Sequence, residues 1–310
     1  MTTDTTSPET DTTETEAPVK TDWVAELKSI SLLLLAVLGF HSFIAKPFYI
    51  PSESMLPGLL VGDQLVVTKY PYGYGFVSPT IPNPVTIVKS FIGDPQESWG
   101  VQLPFIKGRL FGNLPERGDV VVLSPPGRNV DYIKRLIGLP GDRIEVREGV
   151  PIINGVPLKH EARPARLIPV DANTLCSDDV NNYPGALMTG NDGKQYCRLP
   201  ITRETLPNGR SYDIIQFDDR PDEDNFPATS VPEGHIFVMG DNRDRSADSR
   251  VSSDQGGLGG PVPWENLGGR AEFITYSLNG SQHWYNPLSW FGGIRSGRAG
   301  TSLHPDRAAK

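Results

Sequence analysis

The sequence predicts a mostly β module behind one apolar helix, and three observations predict it. The chain is apolar from about Ile30 to Ala45. Four times a glycine–polar pair leads into a β-branched or apolar run: GDQLVV at Gly62, GDVVVL at Gly118, GDRIEV at Gly141 and GHIFVM at Gly234. A strand begins this way after a tight turn. The 29 prolines and 32 glycines scatter without period, which suits many turns and short strands. The four units are irregularly spaced, so no solenoid is implied.

Residues 1–22 are rich in Thr, Glu and Pro with no apolar periodicity, and read as a disordered tail. Six acids there against Lys20 supply −5 of the net charge of −8, so the rest is only mildly acidic and offers no basic field for nucleic acid. The segment 23–46 follows, bracketed by Trp23 and Lys28 before its apolar core and by Lys46, Phe48 and Tyr49 after it. These brackets suit anchoring at two membrane interfaces. A buried core helix is the alternative. A cleaved leader fits poorly, because an acidic stretch precedes the core and no small-x-small site follows it. Lysines are too evenly placed to orient the span.

Next comes PSESMLPGLL, residues 51–60. In an extended segment Ser52 and Ser54 project to the same side; a proline-bounded turn is the other reading. Ser54 lies nine residues beyond Ala45, at most about 30 Å away, so it is held near whatever the apolar segment enters. Two long stretches, 76–112 and 155–230, read as irregular. The first is rich in Pro and aromatics. The second holds the acidic run DDRPDED, read as a solvated loop, and Cys176 and Cys197, with no zinc-ligand spacing. The two thiols pair if the domain lies outside the cytoplasm and are free otherwise.

A serine hydrolase of the His-dependent kind needs a marked histidine, and none of His41, His160, His235, His283 and His304 has a flanking pattern of that sort. Neutral lysine can serve instead. DYIKRLIGLPGD puts Lys134 on a strand face with Tyr132 and Leu136, where apolar neighbours favour the uncharged amine. Lowering a lysine from about 10.4 to about 8 costs roughly 3 kcal/mol, so such a placement needs a purpose. The competing reading is a snorkelling surface lysine. MGDNRDRSADSR, residues 239–250, interleaves acids with arginines, which argues against a calcium loop and for ion pairs that fix a loop around Ser246.

PSESMLPGLLVGDQLVV, GDVVVLSPP, DYIKRLIGLPGDRIEV and GDNRDRSADSR, in this order behind an anchor, resemble the motif boxes of bacterial type I signal peptidases. The resemblance implies an antiparallel β catalytic domain over 47–154 and 231–280 and a smaller inserted domain over 155–230; some members of that family carry two spans where this chain shows one transmembrane helix over 23–46, and a tail over 281–310 lies past the boxes. Ser54 would be the nucleophile, Lys134 its general base, and Ser52 an oxyanion-hole hydroxyl acting with the Ser54 N–H. Ser246 would orient the lysine, with Arg135, Asp241, Asp248 and Arg250 in support. Pockets for small side chains would be lined by Phe48, Ile50, Pro51, Met55, Leu59, Tyr132 and Ile133. No metal or cofactor is implied. The partners are signal peptides of preproteins and the lipid bilayer, with no nucleic acid. The catalytic domain would face the extracytoplasmic side of the cytoplasmic membrane, which favours the Cys176–Cys197 disulfide. Two alternatives stay open: a Ser/Lys peptidase dedicated to few substrates, and an inactive membrane-tethered β module that only binds exported chains. The aromatic insert 76–112 and the tail 281–310 could each touch the bilayer; the alternatives are packed core for the first and a frayed end for the second.

Overall fold

Asp22 starts the first element by capping it: its Oδ1 accepts hydrogen bonds from the N–H groups of Val24 (3.0 Å) and Ala25 (3.3 Å). The helix α1, Trp23–Phe43, runs 21 residues, about 31 Å at 1.5 Å per residue, which matches a hydrocarbon core. None of its most apolar 18-residue window is buried, and the helix is long and apolar enough to cross a membrane. The helix stops short of residue 46 because the chain is drawn into pairing: Lys69 N–H donates to Ile44 O, and Lys46 is already in a strand. The computed structural model describes residues 22–75, 77, 108–128, 130–174, 176, 186–216, 220–283, 286 and 288–307. The expected acidic tail, Asp22 apart, and most of the aromatic insert 76–112 lie outside the described residues. Residues 1–37 and 38–310 are two separate units.

Among the described residues the larger unit is antiparallel throughout its named strands. One sheet runs in the order β1 (Ala45–Tyr49), β2 (Asp63–Thr68), β15 (Leu267–Ser277), β3 (Val120–Leu123), β4 (Tyr132–Gly138), β13 (His235–Met239), β14 (Val262–Pro263). Pro47 is tolerated in β1 because β1 is an edge. The four repeated glycine units begin β2, β3, β5 (Arg143–Arg147) and β13, and all four glycines have positive φ (+96°, +92°, +86° and +71°). At Gly62 a Cβ would also meet Leu278 O at 2.0 Å. The VVVL run of β3 is buried on both faces: Val120 and Val122 enter one apolar cluster, Val121 and Leu123 another. Each such side chain contributes about 1.5–3 kcal/mol, which makes β3 a firm neighbour for β4.

The described part of residues 155–230, read from sequence as irregular, holds two long strands and several short ones. β8 (Lys159–Pro169) pairs with β10 (Gln195–Thr205), which also pairs with β9 (Leu187–Thr189) and β11 (Arg210–Ile214). Pro164 and Pro200 hid these strands. Both sit at the register shift where the pairing passes from Leu199↔Arg166 to Ile201↔Arg163, so neither breaks a ladder. Cys176 and Cys197 form a disulfide that joins β10 to the segment before β9. The second sheet of this region packs β12 (Thr229–Ser230), β5 (Arg143–Arg147), β6 (Val150–Ile153) and β7 (Val156–Pro157). The described part of the acidic run is not a solvated loop: α2, Pro221–Asp224, buries Asp224, whose carboxylate accepts from Arg220 N–H (2.9 Å) and Gln216 Nε2 (3.0 Å). The tail folds back as far as β16 (Asp306–Arg307), which pairs with β11.

Candidate active site

Three chain segments meet at Ser54. Lys134 lies on β4, opposite Val121 of β3, and its buried Nζ donates to Ser54 Oγ at 2.9 Å and to Ile133 O at 3.0 Å. The Tyr132 ring, two residues along the same strand face, has its centroid 5.4 Å from that nitrogen. Burial pushes the Lys134 ammonium down to about 8; Asp248 and Asp241 oppose the shift and Arg250 assists it. The amine is therefore poised to take a proton from the hydroxyl it touches.

Ser54 does not sit in an extended segment. Residues 52–59 bend and turn, because Leu56 N–H closes on Glu53 O and Leu59 N–H on Met55 O. The turn still leaves Ser52 Oγ 3.5 Å from Ser54 Oγ, with Ser52 exposed and Ser54 buried. The loop after β13 holds the turn in place. Asn242 N–H donates to Ser54 O (3.1 Å) and Asn242 Nδ2 to Glu53 O (3.2 Å). Gly240 lets the two segments approach, since a Cβ there would meet Ser54 O at 2.5 Å and Ser246 Oγ at 2.2 Å.

The loop is itself fixed by ion pairs. Arg135 grips Asp241 with two bonds, Nε to Oδ1 at 2.7 Å and NH2 to Oδ2 at 2.6 Å, and stacks over the Tyr212 ring at 4.0 Å. Arg250 grips Asp248 in the same bidentate manner at 3.0 Å, while Asp248 Oδ2 accepts Gly240 N–H at 2.9 Å. Burial alone would raise the Asp248 carboxyl, but Arg250 and these N–H donors hold it below its ordinary value. Ser246 Oγ is buried and has no hydrogen-bond partner in the structure, so its expected contact with Lys134 is not made here.

Of the expected pocket lining, Ile50, Met55, Leu59 and Ile133 gather in one apolar cluster with Phe48 against it. The first three are at most 1% exposed and pack as core. Tyr132 joins a different cluster with Leu123 and Leu136, and Pro51 is exposed. A cavity of about 660 Å³ is bounded by Met55, Leu59, Arg135 and Asp241 together with the C-terminal segment, and neither Ser54 nor Lys134 lines it.

The sequence reading missed two supports. Asn242 lies inside the GDNRD box but was not singled out. Glu204 on β10 carried no local signal at all; it is buried, accepts from Arg243 NH2 (2.6 Å) and from Tyr212 OH, and touches His160 Nε2 (2.8 Å). Burial would raise its carboxyl, yet Arg243 and His160 bring it down to about 2. Arg243 Nε in turn donates to Gly240 O (3.2 Å), so this pair ties the loop to β10.

Residues 22–276 match the family model described as signal peptidase, peptidase S26. The chain is 36% identical over 274 residues to the Signal peptidase I of Rickettsia typhi, covering 86% of this chain and 84% of that one. It is 35% identical over 281 residues to the Signal peptidase I of Rickettsia akari, covering 87% and 85%. Among solved structures it is similar to the crystal structure of a signal peptidase I from Enterococcus faecalis, at 25% identity, 51% of this chain, 97% of that one and a TM-score of 0.25.

Proposed function

The chain belongs to the signal peptidase family, peptidase S26, and is thereby a serine endopeptidase; from that premise we propose a membrane-anchored enzyme that removes signal peptides from preproteins with a Ser54–Lys134 dyad. The observation that carries this reading is the 2.9 Å contact between a buried, easily deprotonated Lys134 and Ser54 Oγ. In the proposed cycle Ser54 Oγ bonds to the scissile carbonyl carbon while Lys134 takes its proton. The carbonyl oxygen becomes an oxyanion, met by the Ser54 N–H and the Ser52 hydroxyl. As the C–N bond breaks, the Lys134 ammonium gives its proton to the leaving amine, and an ester to Ser54 remains. Water, deprotonated by the again neutral Lys134, then cleaves that ester, and the Lys134 ammonium returns its proton to the departing Ser54 Oγ.

Arg135–Asp241 and Asp248–Arg250 act by fixing the loop that holds the Ser54 carbonyl; the same reading gives Ser246 the orienting of the lysine, a contact not made in this structure. Residues 23–46 serve as the anchor, which the exposed apolar side chains of α1 support. Residues 47–154 and 231–280 then form the catalytic domain, 155–230 the insert and 281–310 the tail. The catalytic domain lies on the extracytoplasmic side of the cytoplasmic membrane, where a disulfide persists. The same reading lines the pockets for small substrate side chains with Phe48, Ile50, Pro51, Met55, Leu59, Tyr132 and Ile133, of which Ile50, Met55 and Leu59 are packed inward in this structure. Cleavage of a model preprotein by purified full-length protein in detergent, compared with Ser54→Ala, tests the proposal; equal cleavage by both would end it.

A further inference from the structure

The Ser54 turn belongs to a closed loop. Its two ends are tied by Ile50 N–H to Asp63 O and Gly62 N–H to Ile50 O, both at 2.9 Å. Between these ends the backbone carbonyls are gripped from outside. Asn242 takes those of Glu53 and Ser54, as described above. The far limb of the loop, beyond Leu56, is gripped chiefly by two arginines of the C-terminal segment.

Arg298 places a fork on the buried Asp63 carboxylate, with Nε to Oδ1 at 2.8 Å and NH2 to Oδ2, and the same NH2 donates to Gly58 O at 2.9 Å. Asp63 Oδ2 also accepts Leu60 N–H at 2.8 Å. Arg295 donates NH1 to Val61 O at 2.8 Å, while its Nε and NH2 hold Asp171, each at 2.8 Å. Both arginines lie beyond the residues 22–276 that match the family model. We infer that Arg298, with Arg295 beside it, is a positioning residue for the reaction: it clamps the limb of the loop that Asn242 does not hold and so sets the distance from Ser54 Oγ to Lys134 Nζ. The inference rests on Ser54 being the nucleophile.

The physical requirement is strict. A catalytic hydroxyl and its base must be held within about 0.5 Å of their working geometry, and a displacement of about 1 Å costs about 10²-fold. A loop of this length without outside contacts has no internal sheet or helix to supply that precision. Carbonyl clamps supply it, because each one fixes a peptide plane and not merely a side chain. A guanidinium spans the Asp63 carboxylate and the Gly58 carbonyl together; an ammonium reaches one of them.

The test is steady-state cleavage of a model preprotein by the full chain in detergent, over pH 6 to 10, for wild type, Arg298→Ala, Arg298→Lys, Asp63→Asn and His304→Ala. His304 ties the same segment to Glu272 (2.7 Å) without touching the loop, so it controls for a merely tethered tail. Arg298→Ala is expected to lower kcat at least tenfold with KM within about threefold. Its kcat/KM profile should move to higher pH, because a loosened loop admits water to Lys134. Arg298→Lys and Asp63→Asn should fall between, and His304→Ala should match wild type. A folded Arg298→Ala enzyme with lower thermal stability but wild-type kcat and pH profile would overturn the inference. Should Arg298→Ala not fold, the same comparison on Arg298→Lys and Asp63→Asn decides. Ser54→Ala in the same assay separates the two questions: a dead Ser54→Ala beside an unaffected Arg298→Ala ends the clamp alone, whereas an active Ser54→Ala ends the nucleophile assignment and the clamp with it.

Discussion

Replacing Lys134 by arginine tests the proposed base most directly, because it keeps a positive charge and removes the ability to accept a proton. At about 8, the Lys134 amine is about one-tenth neutral at pH 7. An arginine titrates several units higher and is neutral in only about three molecules per million at pH 7. The population of competent base therefore falls by roughly 10⁴-fold, and Lys134→Arg should lose cleavage by at least that factor. The wild-type enzyme should show the complementary signature. Its kcat/KM is expected to rise about 50-fold from pH 6 to pH 8 and to level off above about pH 9, following the neutral fraction. The assay is cleavage of a model preprotein by both proteins in detergent, after circular dichroism has shown that the variant folds. A Lys134→Arg enzyme with a tenth or more of wild-type activity, or a wild-type profile flat across this range, would refute the reasoning and make Lys134 a structural cation.

Stability should respond to the same group in the same sense, rising with pH. The folded value for Lys134 lies about 2.5 units below the unfolded one, so wild type loses stability as pH falls from about 10.5 to about 8 and carries the full penalty of about 3 kcal/mol below that. Urea unfolding should therefore find Lys134→Met more stable than wild type at pH 7, by at most that amount, with the gap closing towards pH 10; a gap that widens with pH would contradict the account. Ser52→Ala should slow turnover about 10²-fold with substrate binding nearly intact, and a loss confined to KM would remove Ser52 from the oxyanion site. Cleavage after Ala-x-Ala should fail when the residue before the cut is Phe, for a steric cost of roughly 1–3 kcal/mol, and competing Ala and Phe preproteins in one reaction would expose equal use.

The architecture was legible where local chemistry dictated it. All four glycine–polar pairs open strands because each glycine has the positive φ that its turn requires. The apolar run became α1 because its length and composition leave little else. Ser54 and Lys134 were legible as a pair only through motif boxes, since 80 residues separate them. The supports were less legible, because their logic is tertiary. Glu204 meets Arg243 across 39 residues and Arg298 meets Asp63 across 235, and no periodicity records such distances. β8 and β10 were hidden by prolines that look like strand breakers until a shared bulge is seen to absorb them both. The pocket wall was legible in composition but not in state, since Ile50, Met55 and Leu59 are packed inward.

The place of β15 in the main sheet has a consequence for how the protein is born. This strand, among the last to be synthesised, lies between β2 and β3 and pairs with both. Until Ser277 has been made, the ribbon that carries the Ser54 turn and the ribbon that carries Lys134 lack the piece that joins them. At about 5–20 residues per second, translation from Lys134 to Ser277 takes roughly 7 to 30 s. Through that interval the nascent chain holds both reactive side chains without the frame that brings them together. We expect chains that end at residue 266 to be unable to cleave a preprotein even with every motif box present, and an active chain of that length would show the frame to be dispensable. On the proposed reading, Ser54 and Lys134 are made early but are brought together only after β15 has joined β2 to β3.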